Sequence, residues 1–327
     1  EGHMRTIKYG LLLGICGLAA CAPVAQNDSP VPSEPVTTSN PVADSAAAPD
    51  IDFKKLYQTW FENIAPFRLI GDDKQGIYFV GTRGLGMFFI PTAEGHIVID
   101  GGMPGQGKQV WENVKKLGYD PADVKILLNS HAHMDHSGGL AELKQLTGAK
   151  LLASEADRSA LEGGFYLGSE DDISLNAPPV IVDRIIADGE TVGLGHVTLK
   201  AHLTPGHTSG CTSWTMDVAQ GGKSYQALFF CSASVAANRL VGPPQYPGIV
   251  EDYRYTFATT RDWKPDIFLS NHPEFFGMAA KQEKLLAGDP LAFVDDSGFP
   301  VFIRTMERWF EAALEKQTLK YNAIMSD

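Results

Sequence analysis

The chain has 327 residues, 44% of them hydrophobic, and a formal net charge of −12 at pH 7. That length and apolar content allow a sizeable core, while the acidity argues against a nucleic-acid partner, which requires a basic face. Beyond that, the charge implies little more than solubility.

The N-terminal residues read as processing signals. Glu1-Gly2-His3 (residues 1–3) look like a cloning scar ahead of a start at Met4. Residues 4–20 read as an export signal: Arg5 and Lys8 supply a basic start, and the apolar stretch Tyr9 to Ala20 is too short to span a bilayer. It ends in Leu18-Ala19-Ala20-Cys21, which resembles the lipobox of bacterial lipoproteins. That resemblance implies lipidation of Cys21. With Ala22 next, it implies an exported, periplasmic lipoprotein of the outer membrane, touching the membrane only through its lipid. The alternative is an ordinary signal peptide with Cys21 incidental. Residues 21–50 are Pro, Ala, Ser, Thr and Val without apolar periodicity, and read as a disordered tether spanning roughly 30 Å. Residues 51–327 remain as one folded domain.

In that domain, "GIYFVGTRGLGMFFI" and "HIVIDGG" read as strands, with Thr92-Ala93-Glu94-Gly95 as a hairpin loop. "KQVWENVKKLG" places Val110, Trp111, Val114 and Leu117 at helical spacing, with Gly118 as its stop. "VKILLNS" is a buried strand, "GLAELKQLTG" a helix, "AKLLAS" a strand and "EADRSALEGG" a short helix. Then come the strand "VTLKAHL", two β-prone runs joined at Gly221-Gly222, the strand "DIFLSN", and a long helix over 300–316. "QYPGIVEDYRYTF" carries a loop into a helix. The order suggests α/β architecture with two packed sheets and helices outside. Cys211 and Cys231 lie symmetrically about Gly221, so they are expected to face each other as a disulfide, with two buried free thiols as the alternative.

The chemistry concentrates in "NSHAHMDHSGG". Residues two apart in an extended segment point the same way, so His131 and His133 can close on one metal ion. Asp135 and His136 lie on the following turn and can reach a second. Ser137-Gly138-Gly139 is expected to let the backbone pass close to that centre. His207, in "LTPGHTSG", and His272, in "LSNHPEFF", sit at strand ends and supply further ligands. His96 and His196 start strands, and His202 shares a solvent-side face with Thr198 and Lys200; these three read as structural.

"SHAHMDHSGG", "LTPGHTSGCTSW", "CSAS" and "SNHPE" together resemble the metallo-β-lactamase superfamily, most closely its subclass B3 of exported two-zinc β-lactamases. "APFRLIGD", "IYFVGT", "HIVIDGG" and "FVDDSGFPVFI" extend the resemblance over roughly residues 60–316. It implies a single-domain, four-layer αβ/βα sandwich with the site along one edge. It implies two zinc ions, the first held by His131, His133 and His207, the second by Asp135, His136 and His272. Other hydrolases of the superfamily, such as thioester hydrolases and lactonases, usually carry a metal-bridging aspartate where this chain has Ser232. The resemblance therefore implies a monomeric β-lactamase that attacks a small-molecule β-lactam with a metal-bridging hydroxide aimed by Asp135. Ser232 and Ser234 would line the spot for the substrate carboxylate. Another hydrolase of the superfamily, or a lipoprotein that merely holds zinc, are the competing expectations. Trp60, Phe165 and Tyr166 are candidate pocket walls, and Arg239 is a nearby cation.

Overall fold

The computed structural model describes residues 52–72 and 75–326. The expected scar (1–3), signal (4–20) and tether (21–50) with Cys21 lie outside the described residues. Among the described residues, no helix is long and apolar enough to cross a membrane.

Helix α1 (Phe53–Thr59) precedes a seven-stranded sheet. Its strands lie side by side in chain order: β1 (Phe67–Ile70), β2 (Ile77–Phe79), β3 (Phe88–Thr92), β4 (Gly95–Ile99), β5 (Val124–Leu128), β6 (Lys150–Ser154) and β7 (Arg184–Ile186). The first four pair antiparallel and β4 to β7 pair parallel. As read from the sequence, Thr92 pairs with Gly95 across a tight hairpin. Parallel neighbours need crossovers, and these carry the helices. α2 (Gly107–Lys116) joins β4 to β5, α3 (Met134–Ser137) and α4 (Leu140–Thr147) join β5 to β6, and α5 (Glu155–Gly163) joins β6 to β7.

A second sheet holds β8 (Thr191–Leu194), β9 (Val197–Leu203), β10 (Thr212–Gln220), β11 (Lys223–Phe230) and β12 (Ile267–Ser270), in the order β12-β11-β10-β9-β8. α6 (Ile249–Thr260) connects β11 to β12, and α7 (Met278–Leu286) and α8 (Gly298–Ser326) follow. The long helix thus starts two residues before, and runs ten beyond, the 300–316 expected from sequence.

The strand alternation explains the layers. Phe88, Ile90, Ile97, Ile99, Leu128 and Leu152 face the second sheet, packing with Trp214, Phe229 and Leu269. Their neighbours Phe89, Val98, Leu127 and Leu151 face the other way, onto Val110 and Val114 of α2 and Leu140 and Leu143 of α4. The far side of the second sheet receives Phe257 of α6 and Phe299, Phe302 and Phe310 of α8. Helices, sheet, sheet and helices form the four-layer sandwich. Sheets buried on both faces read as continuous apolar runs, which is why "VKILL" shows no alternation.

Gly221 and Gly222 both have positive φ, 60° and 79°, and form the two-residue turn between β10 and β11. The register pairs Gln220 with Lys223 and Trp214 with Phe229. Extended by three residues, it sets Cys211 opposite Ser232. The cysteines are therefore diagonal rather than face to face, one residue off the symmetric expectation. They lie just past the paired residues and are still bridged, with Cα atoms 5.8 Å apart.

Candidate metal centre

The site gathers where strands end. β5 runs out into Asn129–His133, β9 into the turn bearing His207, β11 into Ser232–Ser234, and β12 into Asn271 and His272. His133 caps the single-turn α3, which presents Asp135 and His136.

All six sequence-predicted ligand residues come together. His131, His133 and His207 offer ring nitrogens mutually within 4.8 Å, and His133 Nδ1 lies 3.1 Å from His207 Nε2. His136 Nε2 lies 3.2 Å from His272 Nε2, and Asp135 Oδ2 lies 3.1 Å and 3.4 Å from those two nitrogens. The rings of His131 and His136 are 4.5 Å apart, so the two groups adjoin. Cys211 and Cys231 also approach His131, but their sulfurs are bonded to each other and offer no thiolate.

Protonation favours metal binding. Burial and the neighbouring histidines hold His131 and His133 well below the ordinary imidazole value. Burial lowers His207 to about 4. A metal ligand must be neutral imidazole, and these three already are. Burial opposes the ionisation of Asp135, yet His136 and His272 overcome it and hold the carboxyl well below its usual range. His272 is the converse: burial opposes its charge, but Asp135, Glu274 and the Gly84 carbonyl raise it to about 9.

The partners behind the rings fix which nitrogen is bare. His207 Nδ1 donates to Ser234 O at 2.7 Å, which leaves its Nε2 as a lone pair; His272 Nδ1 donates to Gly84 O at 3.1 Å, so its Nε2 is the nitrogen that must give up a proton before it can ligate. The Ser130 hydroxyl donates to Asp100 at 2.7 Å and its oxygen lies 3.1 Å from His131 Nδ1, which Asn271 Nδ2 also approaches at 3.3 Å. His131 Nε2 is buried with no hydrogen-bond partner. A buried ring nitrogen without a partner, beside four other imidazoles and a carboxylate, fits a metal ion.

Two carboxylates that sequence reasoning missed hold the ligand loops. Asp100 has a φ of 64°, a left-handed conformation unusual for a non-glycine residue. It accepts from Ser130 N at 2.7 Å, Ser130 Oγ at 2.7 Å and Asn129 Nδ2 at 3.1 Å. Asp157, on α5, accepts from Ala132 N at 3.0 Å, Thr208 Oγ1 at 2.9 Å and Gly210 N at 3.0 Å. It ties the His131–His133 segment to the His207 turn. Burial raises its carboxyl to about 6. Asp157→Ala strands three donors and is expected to cost on the order of 3 kcal/mol, read by denaturant unfolding. Because the folded state holds this proton more tightly than the unfolded chain, the group's favourable contribution is complete below 3.8 and lost as pH rises through about 6. That slope should vanish in the variant.

Gly138 and Gly139 also permit a close backbone contact. A Cβ on Gly139 would lie 2.1 Å from Gly101 O, and one on Gly138 2.3 Å from Pro104 N. The glycines let α3 and α4 press against the Gly101–Gly107 loop.

Comparison with known proteins agrees with this geometry. The sequence profile of the metallo-beta-lactamase superfamily matches residues 87–219. The chain is 44% identical to the crystal structure of BJP-1, a subclass B3 metallo-beta-lactamase of Bradyrhizobium japonicum, with a TM-score of 0.78, covering 81% of this chain and 99% of that one. The chain belongs to the metallo-β-lactamase superfamily. Among curated relatives it is 28% identical over 107 residues to the hydroxyacylglutathione hydrolase of Rhodospirillum rubrum, covering 33% of this chain and 34% of that protein. It is 26% identical over 167 residues to the N-acyl homoserine lactonase AttM of Agrobacterium fabrum, covering 39% of this chain and 57% of that protein. The chain thus spans about a third to somewhat over half of these curated relatives.

In this metallo-β-lactamase superfamily enzyme, Ser232 lies two residues past β11 and is buried, 2% exposed, while Ser234 is half-buried. Their hydroxyl oxygens are 3.3 Å apart. Tyr166 stacks on His133 with centroids 4.1 Å apart and planes 12° from parallel, and Trp60 lies 5.7 Å from the His272 ring. Both border the cluster. Phe165 packs against the core outside the first sheet. Arg239 is committed to Gly168 O, Ser169 Oγ and Pro243 O, in the loop after Tyr166 and in its own. His202 bonds Thr215 Oγ1 at 2.9 Å on its strand face, and His96 is wedged between Phe89 and Tyr119, both structural as expected.

Proposed function

We propose that the chain is a zinc-dependent β-lactamase that opens the lactam amide of penicillins, cephalosporins and carbapenems and so confers antibiotic resistance. The observation that carries this reading is Ser232. Just past β11, where other hydrolases of the superfamily place a bridging carboxylate, this chain has a hydroxyl bonded to Ser234. The likeness to BJP-1 over 99% of that chain supports the same choice. Export, lipidation at Cys21, outer-membrane anchoring and a monomeric state complete the proposal and rest on the sequence reading.

Two zinc ions suit the two ligand groups. His131 Nε2, His133 Nδ1 and His207 Nε2 would hold one, and Asp135 Oδ2, His136 Nε2 and His272 Nε2 the other. When bound, zinc polarises a carbonyl oxygen and brings the pKa of a water to about 7. The side chains then direct the reaction. Asp135, kept ionised by its histidines, accepts a hydrogen bond from the attacking water and so aims it at the lactam carbonyl. The proton it takes up is available to the departing lactam nitrogen. Ser234 donates its hydroxyl to the substrate carboxylate, with Ser232 holding it from beneath. No side chain attacks the substrate, so no acyl-enzyme forms.

The second reading is a lactone or thioester hydrolase, favoured by the partial matches to AttM and to the hydroxyacylglutathione hydrolase. Comparing kcat/KM of the zinc-loaded protein on a carbapenem, a cephalosporin, an N-acyl homoserine lactone and a glutathione thioester separates the two. The proposal expects the lactams to lead by at least about a hundredfold. A faster lactone or thioester would mean that Ser232 does not select the substrate.

A further inference from the structure

We infer that Asn238 is a positioning residue that sets two of the first metal group's histidines and the tyrosine wall beside them; the inference rests on the metal-centre reading above. Asn238 lies in the loop after β11 and is buried. Its amide nitrogen donates to His207 O at 2.9 Å and to Tyr253 Oη at 3.3 Å. Its amide oxygen accepts from Tyr166 Oη at 2.9 Å.

The partners fix the amide's direction. A carbonyl can only accept, so the nitrogen must face His207 O. The Tyr253 hydroxyl donates to Ser234 O at 2.7 Å and so has only its lone pairs left for Asn238. Ser234 O is the same carbonyl that takes the His207 Nδ1 proton at 2.7 Å. One amide therefore reaches His207 twice, through its backbone and through Tyr253 and Ser234. It reaches His133 through Tyr166, whose ring lies flat on that imidazole. Helix α8 braces the loop from behind: Gln317 Nε2 donates to Asn238 O at 3.0 Å, and Leu240 N donates to Gln317 Oε1 at 2.7 Å.

The two arms can be cut separately. Asn238→Asp keeps the size and still accepts from Tyr166, but turns an acceptor oxygen onto the His207 carbonyl. Tyr166→Phe keeps the stacked ring and loses only its tether. The experiment titrates metal-free wild type and both variants with cobalt(II) against a competing chelator, reading the visible absorption of bound cobalt. Thermal unfolding of the metal-free proteins serves as the fold control.

Partners behind metal ligands typically alter affinity by about 10- to 100-fold. Asn238→Asp is expected to lose cobalt affinity by that factor, with an altered cobalt spectrum, while remaining folded. Tyr166→Phe, which cuts only the His133 arm, is expected to lose cobalt affinity by a smaller factor than Asn238→Asp and to raise KM for a β-lactam several-fold. Wild-type affinity and spectrum in Asn238→Asp would overturn the inference. So would a Tyr166→Phe variant with wild-type cobalt affinity and unchanged KM. Should Asn238→Asp fail to fold, Gln317→Ala relaxes the same loop from outside the pocket. A smaller loss of cobalt affinity supports the inference and an unchanged one contradicts it. The cobalt readout needs no substrate, so a failure of β-lactam turnover would count against the functional reading alone.

Discussion

Asp135→Asn is expected to lose turnover by about 10²- to 10⁴-fold while the protein stays folded. The substitution keeps the shape and removes the charge. In the native site one carboxylate oxygen sits 3.1 Å from His136 Nε2 and 3.4 Å from His272 Nε2, and both histidines hold it ionised against the pull of burial. An amide can present an oxygen to one of these nitrogens, but it cannot take up a proton from water. The ligand loops are fixed elsewhere, by Asp100 and Asp157, so the fold does not depend on Asp135. The measurement is kcat of the variant with zinc in excess, beside its thermal unfolding curve. A rate near wild type in the zinc-supplemented variant would remove Asp135 from the chemistry.

Stripping the metal should lower the melting temperature as well as end turnover. Without metal, His131 Nε2 and His136 Nδ1 are buried with no hydrogen-bond partner. A ligand that binds only the folded state stabilises it by about 2.7 kcal/mol at a hundredfold excess over its Kd. For a domain of this size that is roughly 5 to 10 °C for one site, and more if two fill. Calorimetry with zinc and with chelator reads the shift. An unchanged melting temperature would mean that the histidines do not bind metal in the folded protein.

The candidate ligand cluster was legible because its chemistry is local. His131, His133, Asp135 and His136 fall within six residues, and histidine in a Pro-Gly turn or at a strand end has few structural uses. The long helices and the β10–β11 hairpin were legible from period and from paired glycines. The supports were not. Asp157 looks like any acid on an amphipathic helix, and its partners lie 25, 51 and 53 residues away. Asn238 sits in a loop without pattern, and its partners come from Tyr166, His207 and Tyr253. Such contacts depend on tertiary register, which no spacing rule encodes. Among elements, β7 has only three residues, and α7 buries little besides Met278, so neither carries a periodic signal. The diagonal offset of Cys211 and Cys231 follows from a two-residue turn, where symmetry about Gly221 alone implied a one-residue turn.

The central claim is metal-dependent lactam hydrolysis. Its most direct test is hydrolysis of a carbapenem and a cephalosporin by the purified protein, first with zinc, then with chelator, then with zinc restored. The account predicts turnover that disappears on chelation and returns with zinc. A folded, zinc-loaded protein that leaves both lactams intact, or one that cleaves them equally well without metal, would contradict it.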